Sequence, residues 1–256
     1  MPRMKDPYYD ITIGVVANFI FLGLTIAIGY SGYLLLTRRR LLRFFDITQS
    51  KKLVIYLSHI RVVSGGSVGA GDALRQFAGS TVTLAESQFA GYLKGLFFYF
   101  IPGLAEQPGI LRYLTVTDLD IQILPSPLDR AQIQTDCTII TFGTPGYNEV
   151  SGWAQDTLAP DVRCSTANGA IEFIGLAPIT DPRKAFVQRL HDAANNRFVF
   201  YVAGLSEHGT CGAALFLGSS WSKLQRKYGR DRRFSTAIDV TSVDPLRVRL
   251  AFDRAL

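Results

Sequence analysis

The sequence predicts an α/β protein in which a single transmembrane helix precedes a Rossmann-like domain, with a mainly parallel sheet and helices on both of its faces. Three observations predict this fold. Residues 11–36 contain no Asp, Glu, Lys, Arg or His. After residue 52, short apolar runs alternate with segments of helical periodicity, which is typical of parallel strands joined by crossover helices. The apolar runs are continuous, which indicates strands buried on both faces.

The uncharged run at residues 11–36 predicts a transmembrane helix, because about 20 apolar residues suffice to cross a bilayer core. Arg38, Arg39, Arg40 and Arg43 follow the run, and an excess of Lys and Arg favours the cytoplasmic side. The run is longer than the apolar core of a signal peptide, whose basic residues precede that core. We therefore expect an uncleaved single-pass anchor in the inner (plasma) membrane, with the amino terminus outside and the α/β domain in the cytoplasm.

This interpretation divides the chain into four parts. They are an extracytoplasmic terminus at residues 1–10, the transmembrane helix at 11–36, a basic juxtamembrane connector at 37–52, and the cytoplasmic α/β domain at 53–256. Gly23 and Ala27 have the four-residue spacing of small side chains that pack helices together in membranes. A homo-oligomer formed through this helix is therefore a candidate assembly.

Charge and cysteine content narrow the classes of function. The net charge is +6, and the basic residues concentrate after the apolar run and again at residues 223–233. This distribution indicates that the basic residues contact anionic lipid headgroups or lie on solvated faces, and it does not favour nucleic-acid binding. Cys137, Cys164 and Cys211 are odd in number and form no CxxC pair, so the sequence predicts free thiols of a reducing cytosol and no metal site.

Periodicity predicts the elements of the domain in order. Strands are expected at residues 53–58, 119–124, 137–142, 170–174, 198–203, 234–241 and 246–252, and helices at 82–100, 149–158 and 211–228. The last two strands are candidates for an antiparallel edge. Residues 41–47 are expected to continue along the membrane surface or to connect the two parts. Residues 91–104 are apolar but too short to span a bilayer, so they either pack on the sheet or dip into the membrane surface.

Three glycine-containing loops follow predicted strands and precede predicted helices, near Ser64, Gly143 and Gly204. In an open α/β sheet such loops lie at the carboxyl ends of the strands, where ligands bind. Helix amino termini at that edge attract anions such as phosphate. The candidate ligand-binding residues are Gly65, Gly66, Gly143, Thr144, Gly146, Tyr147, Asn148, Ser151, Gly204, Ser206, Gly209 and Thr210.

The second loop has two interpretations. In one, Tyr147 stacks on a base or ring while Asn148 hydrogen-bonds a sugar or amide. In the other, Tyr147 packs against the protein and Asn148 caps the following helix. None of the loops carries a nucleotide fingerprint, because the G-x-G-x-x-G order and the Walker lysine are both absent. The cofactor stays unknown, with a nucleotide as the candidate.

Three titratable residues are candidates for catalysis. Glu86 lies near the start of the helix after the first loop, where the helix dipole also favours a carboxylate. Glu207 and His208 lie in the third loop, where they could act as general acid or base. The order of strand, glycine-rich loop and helix-borne glutamate is similar to that of nucleotide-processing α/β domains such as TIR domains and nucleoside deoxyribosyltransferases. This resemblance implies a glutamate placed against a ribose.

These patterns leave three hypotheses. The first is a membrane-anchored sensor or effector whose cytoplasmic domain binds a nucleotide or another phosphorylated small molecule. The second is a nucleotide or N-glycosidic hydrolase that uses Glu86 or the Glu207–His208 pair. The third is a membrane-tethered scaffold that docks a partner and holds no ligand.

Overall fold

The computed structural model describes residues 7–59, 84–98, 119–158, 161–165, 169–175, 177–229, 232–240 and 248–255. The chain divides into two units, Met1–Arg40 and Leu41–Leu256. Helix α1 covers Pro7–Phe44, and a single turn, α2, covers Ile47–Ser50. The helices described after these are α3 (Leu84–Phe98), α4 (Glu149–Thr157) and α5 (Glu207–Tyr228), and a 3-10 turn covers Arg130–Gln132.

Large apolar side chains are exposed around α1. Phe19, Ile20, Phe21 and Leu22 are between 55% and 71% exposed. Since successive helical residues are rotated by about 100°, these four side chains point in all directions around the helix. Among the residues that the structure describes, no helix has both the length and the apolar character needed to cross a membrane. The predicted transmembrane span is not supported by this finding.

Residues 41–47 contribute to the core of the second unit. Their buried members are Leu41, Phe44, Phe45 and Ile47. The ring of Phe44 lies 5.5 Å from that of Phe200 and 6.2 Å from that of Phe234, between centroids. This stretch is therefore a core element, whereas the sequence suggests only a surface segment or connector. The burial of each aromatic side chain stabilises the fold by several kcal/mol, at about 25 cal/mol per Å² of apolar surface.

Nine strands are described within these ranges. They are β1 (Lys52–Leu57), β2 (Asp120–Pro125), β3 (Thr138–Phe142), β4 (Val162–Ser165), β5 (Ala170–Phe173), β6 (Lys184–Asp192), β7 (Arg197–Gly204), β8 (Phe234–Val240) and β9 (Val248–Ala255). β4 and β5 form a separate antiparallel pair. The other strands form one sheet in the order β2-β1-β3-β7-β6-β8-β9.

The sheet is mainly parallel. β1 is parallel to β2 and β3, and β3 is parallel to β7. β6 is antiparallel to both β7 and β8, so β8 shares the direction of β7, and five of the seven strands run the same way. The predicted mainly parallel α/β sheet is therefore confirmed. β8 and β9 are antiparallel, as expected for the edge.

Apolar layers cover both faces of the sheet. On one face Leu53, Ile55 and Leu57 pack in a cluster that includes residues of α3 and α5. On the other face Val54 and Tyr56 pack in a cluster that includes residues of α4 and the β4–β5 pair. The predicted placement of helices on both faces is confirmed, and continuous apolar strands are the expected consequence of burial on two sides.

Candidate functional site

The carboxyl ends of β1, β3 and β7 lie at one edge of the sheet, because these strands are parallel neighbours. The chain passes from β1 to β2 on one side of β1 and returns to β3 on the other side. Such a reversal is a topological switch point, where open α/β sheets bind their ligands. Ser58 and Gly143, which directly follow β1 and β3, mark the place where a ligand site is expected.

Glu86 reaches this switch point from the first turn of α3 and is buried, with 4% of its surface exposed. The backbone N–H of Ser58 donates to Glu86 Oε2 at 2.8 Å, and the Ser58 hydroxyl donates to Oε1 at 2.8 Å. The same hydroxyl lies 3.2 Å from the carbonyl oxygen of Phe142. Glu86 therefore joins the start of α3 to the ends of β1 and β3.

Glu86 shares its electrostatic environment with two residues of α5. Burial raises the pKa of Glu86, the hydrogen bonds from Ser58 oppose this shift, and the nearby charge of Glu207 adds to it. Burial also raises the pKa of the Cys211 thiol to about 12, with further contributions from the charges of Glu86 and Glu207. A carboxyl whose pKa is raised is a candidate general acid, whereas Cys211 stays protonated at neutral pH and is a poor nucleophile.

Gly143 follows β3 with a φ of +82°, a conformation that favours glycine. Its N–H donates to the carbonyl of Val202 at 2.9 Å. A Cβ at this position would lie 2.1 Å from Ser58 Oγ and 3.6 Å from Glu86 Oε1. Glycine is therefore required here by the packing of Ser58 against the loop, before any ligand is considered.

The rest of the second loop is a turn tied to β1. The carbonyl of Thr144 accepts from the N–H groups of Tyr147 and Asn148, each at 3.0 Å, and the carbonyl of Tyr147 accepts from the His59 N–H at 2.6 Å. Gly146 is exposed, and the side chain of Tyr147 is too, since the residue is 55% exposed. More than half of the Tyr147 surface is therefore accessible for stacking.

Asn148 and Ser151 lie beneath this edge, and both are buried. Asn148 caps α4, since its Oδ1 accepts from two backbone N–H groups of the first turn at 2.9 and 3.3 Å. Its Nδ2 donates to the carbonyl of Phe142 at 2.8 Å. Ser151 Oγ lies 2.8 Å from Thr141 Oγ1. The capping interpretation of Asn148 is confirmed, and the observed contacts of both side chains are structural.

Ser206 organises the third loop as the N-cap of α5. Its hydroxyl accepts from the Gly209 N–H at 3.0 Å and donates to the carbonyl of Pro182 at 2.8 Å. Thr210 Oγ1 accepts from the Gly204 N–H at 3.1 Å and donates to the carbonyl of Ser206 at 3.2 Å. Glu207 and His208 are exposed in the first turn of α5, so they are the side chains of this loop that face solvent.

The structure thus brings three predicted features together at one edge: the Gly143 loop, the Gly204 loop and Glu86. Ser58 and Cys211 also belong to this cluster, although the sequence analysis does not assign them to a site. The available signal for Ser58 is its position, since it is a polar residue at the carboxyl end of a continuous apolar strand. Gly65 and Gly66 lie outside the described residues.

A surface depression of about 320 Å³ lies at the opposite, amino-terminal edge of the sheet, lined by residues that include Asp46, Thr138 and Arg197. Two of its polar side chains, those of Arg197 and Thr138, bind other groups of the protein. Arg197 forms a buried ion pair with Asp192 at 2.9 Å and donates to the carbonyl of Cys137 at 3.2 Å. The Thr138 hydroxyl donates to the carbonyl of Asp46 at 3.1 Å. Because these contacts engage the side chains of Arg197 and Thr138, the switch point and not this depression is the stronger candidate site.

Within the described ranges, no group of three or more His, Cys, Asp or Glu side chains is placed to hold a metal ion. Comparison of the chain with protein-family models, with curated proteins and with solved structures finds no match. The function therefore has to be inferred from the site alone.

Proposed function

We propose that this chain is a membrane-anchored cytoplasmic α/β domain that binds a nucleotide or another phosphorylated small molecule, as a sensor or effector. The observation that supports binding is the convergence of the Gly143 loop, the Gly204 loop and Glu86 at the switch point. α4 and α5 begin directly after these two loops. The amino termini of helices carry partial positive charge and N–H donors, which suit a phosphate group.

The acidic groups restrict how such a ligand would lie. Glu86 and Glu207 disfavour phosphate beside them, so we expect a sugar hydroxyl nearer Glu207, which is exposed, and the phosphate farther from these two carboxylates. A carboxylate that accepts from ribose hydroxyls is the usual complement to a phosphate site in such sheets. Tyr147, at 55% exposure, offers a face on which a base can stack.

The anchor is the second part of the proposal. Residues 11–36 contain no charged side chain, and apolar side chains of α1 such as Phe19 and Phe21 are exposed around the helix. A helix that is apolar all round requires an apolar surrounding on every side, which a lipid bilayer supplies. Because no described helix qualifies as a span, insertion has to be measured directly.

We expect the full chain, purified in detergent, to gain thermal stability with at least one member of a panel of NAD, ATP, GTP and cyclic nucleotides. A ligand at 100 times its Kd stabilises the folded state by about 2.7 kcal/mol, which raises the Tm of a domain of this size by about 5–10 °C. Tyr147→Ala should weaken binding about 5- to 100-fold, since stacking contributes about 1–3 kcal/mol per base.

The matched control is Ile174→Ala, which removes an apolar side chain of similar exposure, 58%, from the turn that follows β5. Neither exposed substitution should change the Tm of the free protein by more than about 1–2 °C. If no member of the panel raises the Tm of the wild-type chain, the ligand-binding proposal loses its main support and the scaffold hypothesis gains.

A second candidate function is hydrolysis of an N-glycosidic bond, and the burial of Glu86 beside the charge of Glu207 favours it. A carboxyl with a raised pKa can hold the proton that the departing base requires. A second carboxylate, that of the exposed Glu207, can stabilise the positive charge that develops on the sugar. Water then adds to the sugar and gives up a proton that restores Glu86, so that the products are the free base, which carries the proton from Glu86, and the free sugar.

Glu86→Gln should abolish turnover while leaving binding intact. Glutamine can keep the local contacts: its Oε1 can accept from the Ser58 N–H, and its Nε2 can donate to Ser58 Oγ, whose own hydrogen then turns to the Phe142 carbonyl. Release of adenine from ATP, followed by chromatography, measures turnover, and Glu172→Gln on β5 is the control. Unchanged turnover in Glu86→Gln would remove Glu86 from the mechanism.

The pH dependence of stability shows whether Glu86→Gln has folded as intended. Because the pKa of Glu86 is raised above 4.5 in the folded state, the stabilisation from this carboxyl is fully present below pH 4.5 and is lost as pH rises through the raised pKa. The glutamine variant has no such titration. Its Tm should therefore increase relative to that of the wild type as pH rises from about 4.5.

A further inference from the structure

Two basic segments that are far apart in the sequence lie on neighbouring elements of the second unit. Arg43 lies in the last turn of α1, beside Phe44. Lys223, Arg226 and Lys227 lie in the carboxyl-terminal part of α5. The centroid of the Phe44 ring is 6.4 Å from that of Trp221, which places the end of α1 against this part of α5. Together these four residues, Arg43, Lys223, Arg226 and Lys227, form the basic end of the second unit.

A buried cluster fixes the basic end in this arrangement. Phe44 lies 6.2 Å from Phe234, and Phe234 stacks on Tyr228 of α5 with centroids 4.8 Å apart. The guanidinium of Arg189 lies 5.4 Å from the Phe44 centroid and donates to the carbonyl of Gly229, the C-cap of α5, at 3.0 Å. The two helix ends are therefore joined through rigid core groups and not through flexible surface side chains.

All four side chains of the basic end are exposed. The macrodipole of each helix explains a cation in its own last turn. It does not explain Lys223, which precedes the last turn of α5. Lys223, Arg226 and Lys227 follow one another at three- and four-residue spacing, so they share one face of the helix. The basic end is thus a positively charged surface held in place by the core.

We propose that the basic end binds anionic lipid headgroups and seats the second unit on the membrane surface, an inference that rests on the proposed anchor. Arg43 follows Leu36, the last residue of the uncharged run, by seven residues (43 − 36). The basic end therefore starts within about 25 Å of the end of that run even if the chain is fully extended. Clustered Lys and Arg next to a membrane segment bind anionic leaflets. Nucleic acid offers the same charge, but this short connection to the apolar run favours a lipid surface.

The experiment uses the full chain reconstituted in two kinds of vesicle, phosphatidylcholine alone and phosphatidylcholine with 30% phosphatidylglycerol, each with a trace of dansyl-labelled lipid. Energy transfer from the two tryptophans, Trp153 and Trp221, to the dansyl headgroups reports how closely the second unit approaches the bilayer. We expect more transfer with phosphatidylglycerol, and loss of that increase at high salt.

Lys223→Gln/Arg226→Gln should weaken the lipid-dependent docking about 10- to 30-fold. The control Arg163→Gln/Arg183→Gln removes the same charge from exposed positions elsewhere and should leave docking unchanged.

Flotation of the vesicles separates the two proposals. Protein that floats with both vesicle types but shows equal transfer in both, or equal losses in the two double variants, overturns the docking proposal and leaves the anchor standing. Protein that floats with neither type overturns both. Binding of a 20-base-pair DNA duplex that depends on Lys223 and Arg226, without any effect of phosphatidylglycerol on transfer, would assign the basic end to nucleic acid instead.

Discussion

Replacing Phe44 by alanine should lower the free energy of unfolding by about 3–5 kcal/mol, the usual cost of removing a buried aromatic ring. The ring is fully buried, and its centroid lies 4.9 Å from Phe45, 5.5 Å from Phe200, 6.4 Å from Trp221 and 6.2 Å from Phe234. The guanidinium of Arg189, 5.4 Å from the ring centroid, would also lose one of its aromatic neighbours. Four elements besides α1, namely β6, β7, α5 and β8, would therefore border the resulting cavity, and none of them can close it without moving.

Urea unfolding of the full chain in detergent, followed by tryptophan fluorescence, measures this effect. The matched control is Phe19→Ala, because Phe19 is also on α1 but is 71% exposed. Its removal should change the free energy of unfolding by less than about 0.5 kcal/mol. Equal, small effects of the two substitutions would mean that residues 41–47 are a connector, as the sequence suggests, and do not belong to the core.

The strands that periodicity predicts best are those buried on both faces. β1 and β7, for example, are continuous runs of apolar residues in the sequence, and the structure places them in the middle of the sheet with α-helices on both sides. A run of this kind can be predicted as a strand without knowing which strands lie beside it, because every side chain in it has to be buried. Sequence alone is therefore sufficient for the parallel half of the fold.

β6 is not predicted, because polar side chains interrupt its apolar pattern. Gln188 and Arg189 are both fully buried in this strand. Arg189 is accommodated by three aromatic rings, those of Phe44, Phe198 and Phe234, and by the carbonyl of Gly229. These partners come from four other segments of the chain. Only the tertiary structure brings them together, so the local pattern reads as polar and exposed.

The position of the candidate site could be predicted, whereas its contacts could not. Parallel topology places every loop that follows a strand at the same edge, so the meeting of the Gly143 and Gly204 loops follows from the pattern of elements. The pairing of Glu86 with Ser58 crosses 28 residues of sequence, and no local rule specifies it. The same holds for the close approach that makes glycine necessary at Gly143, since it depends on where the Ser58 hydroxyl lies.

Gly204→Ala should destabilise the protein by about 3 kcal/mol, at the upper end of the usual cost of overpacking. A Cβ at Gly204 would lie 2.5 Å from the carbonyl carbon of Gly209 and 2.6 Å from the backbone nitrogen of Thr210. These are backbone atoms of the first turn of α5, and they cannot rotate away as a side chain can. The Gly204 N–H also donates to Thr210 Oγ1 at 3.1 Å, so displacing the turn would break the bond that seats α5 on β7.

Gly91→Ala is the matched control, because it makes the same chemical change in the interior of α3, where a Cβ would meet no atom within 4 Å. Alanine there should stabilise the protein by about 0.5–1 kcal/mol, through its greater helix propensity. Opposite signs for the two substitutions in urea unfolding would show that Gly204 is required by backbone contact.

The first turn of α5 also carries Glu207, whose charge raises the pKa of Glu86. Gly204→Ala should therefore weaken any nucleotide-induced rise in Tm as well. A variant as stable as the wild type would contradict the seating of α5 on β7, and with it the convergence of loops that supports the proposed site.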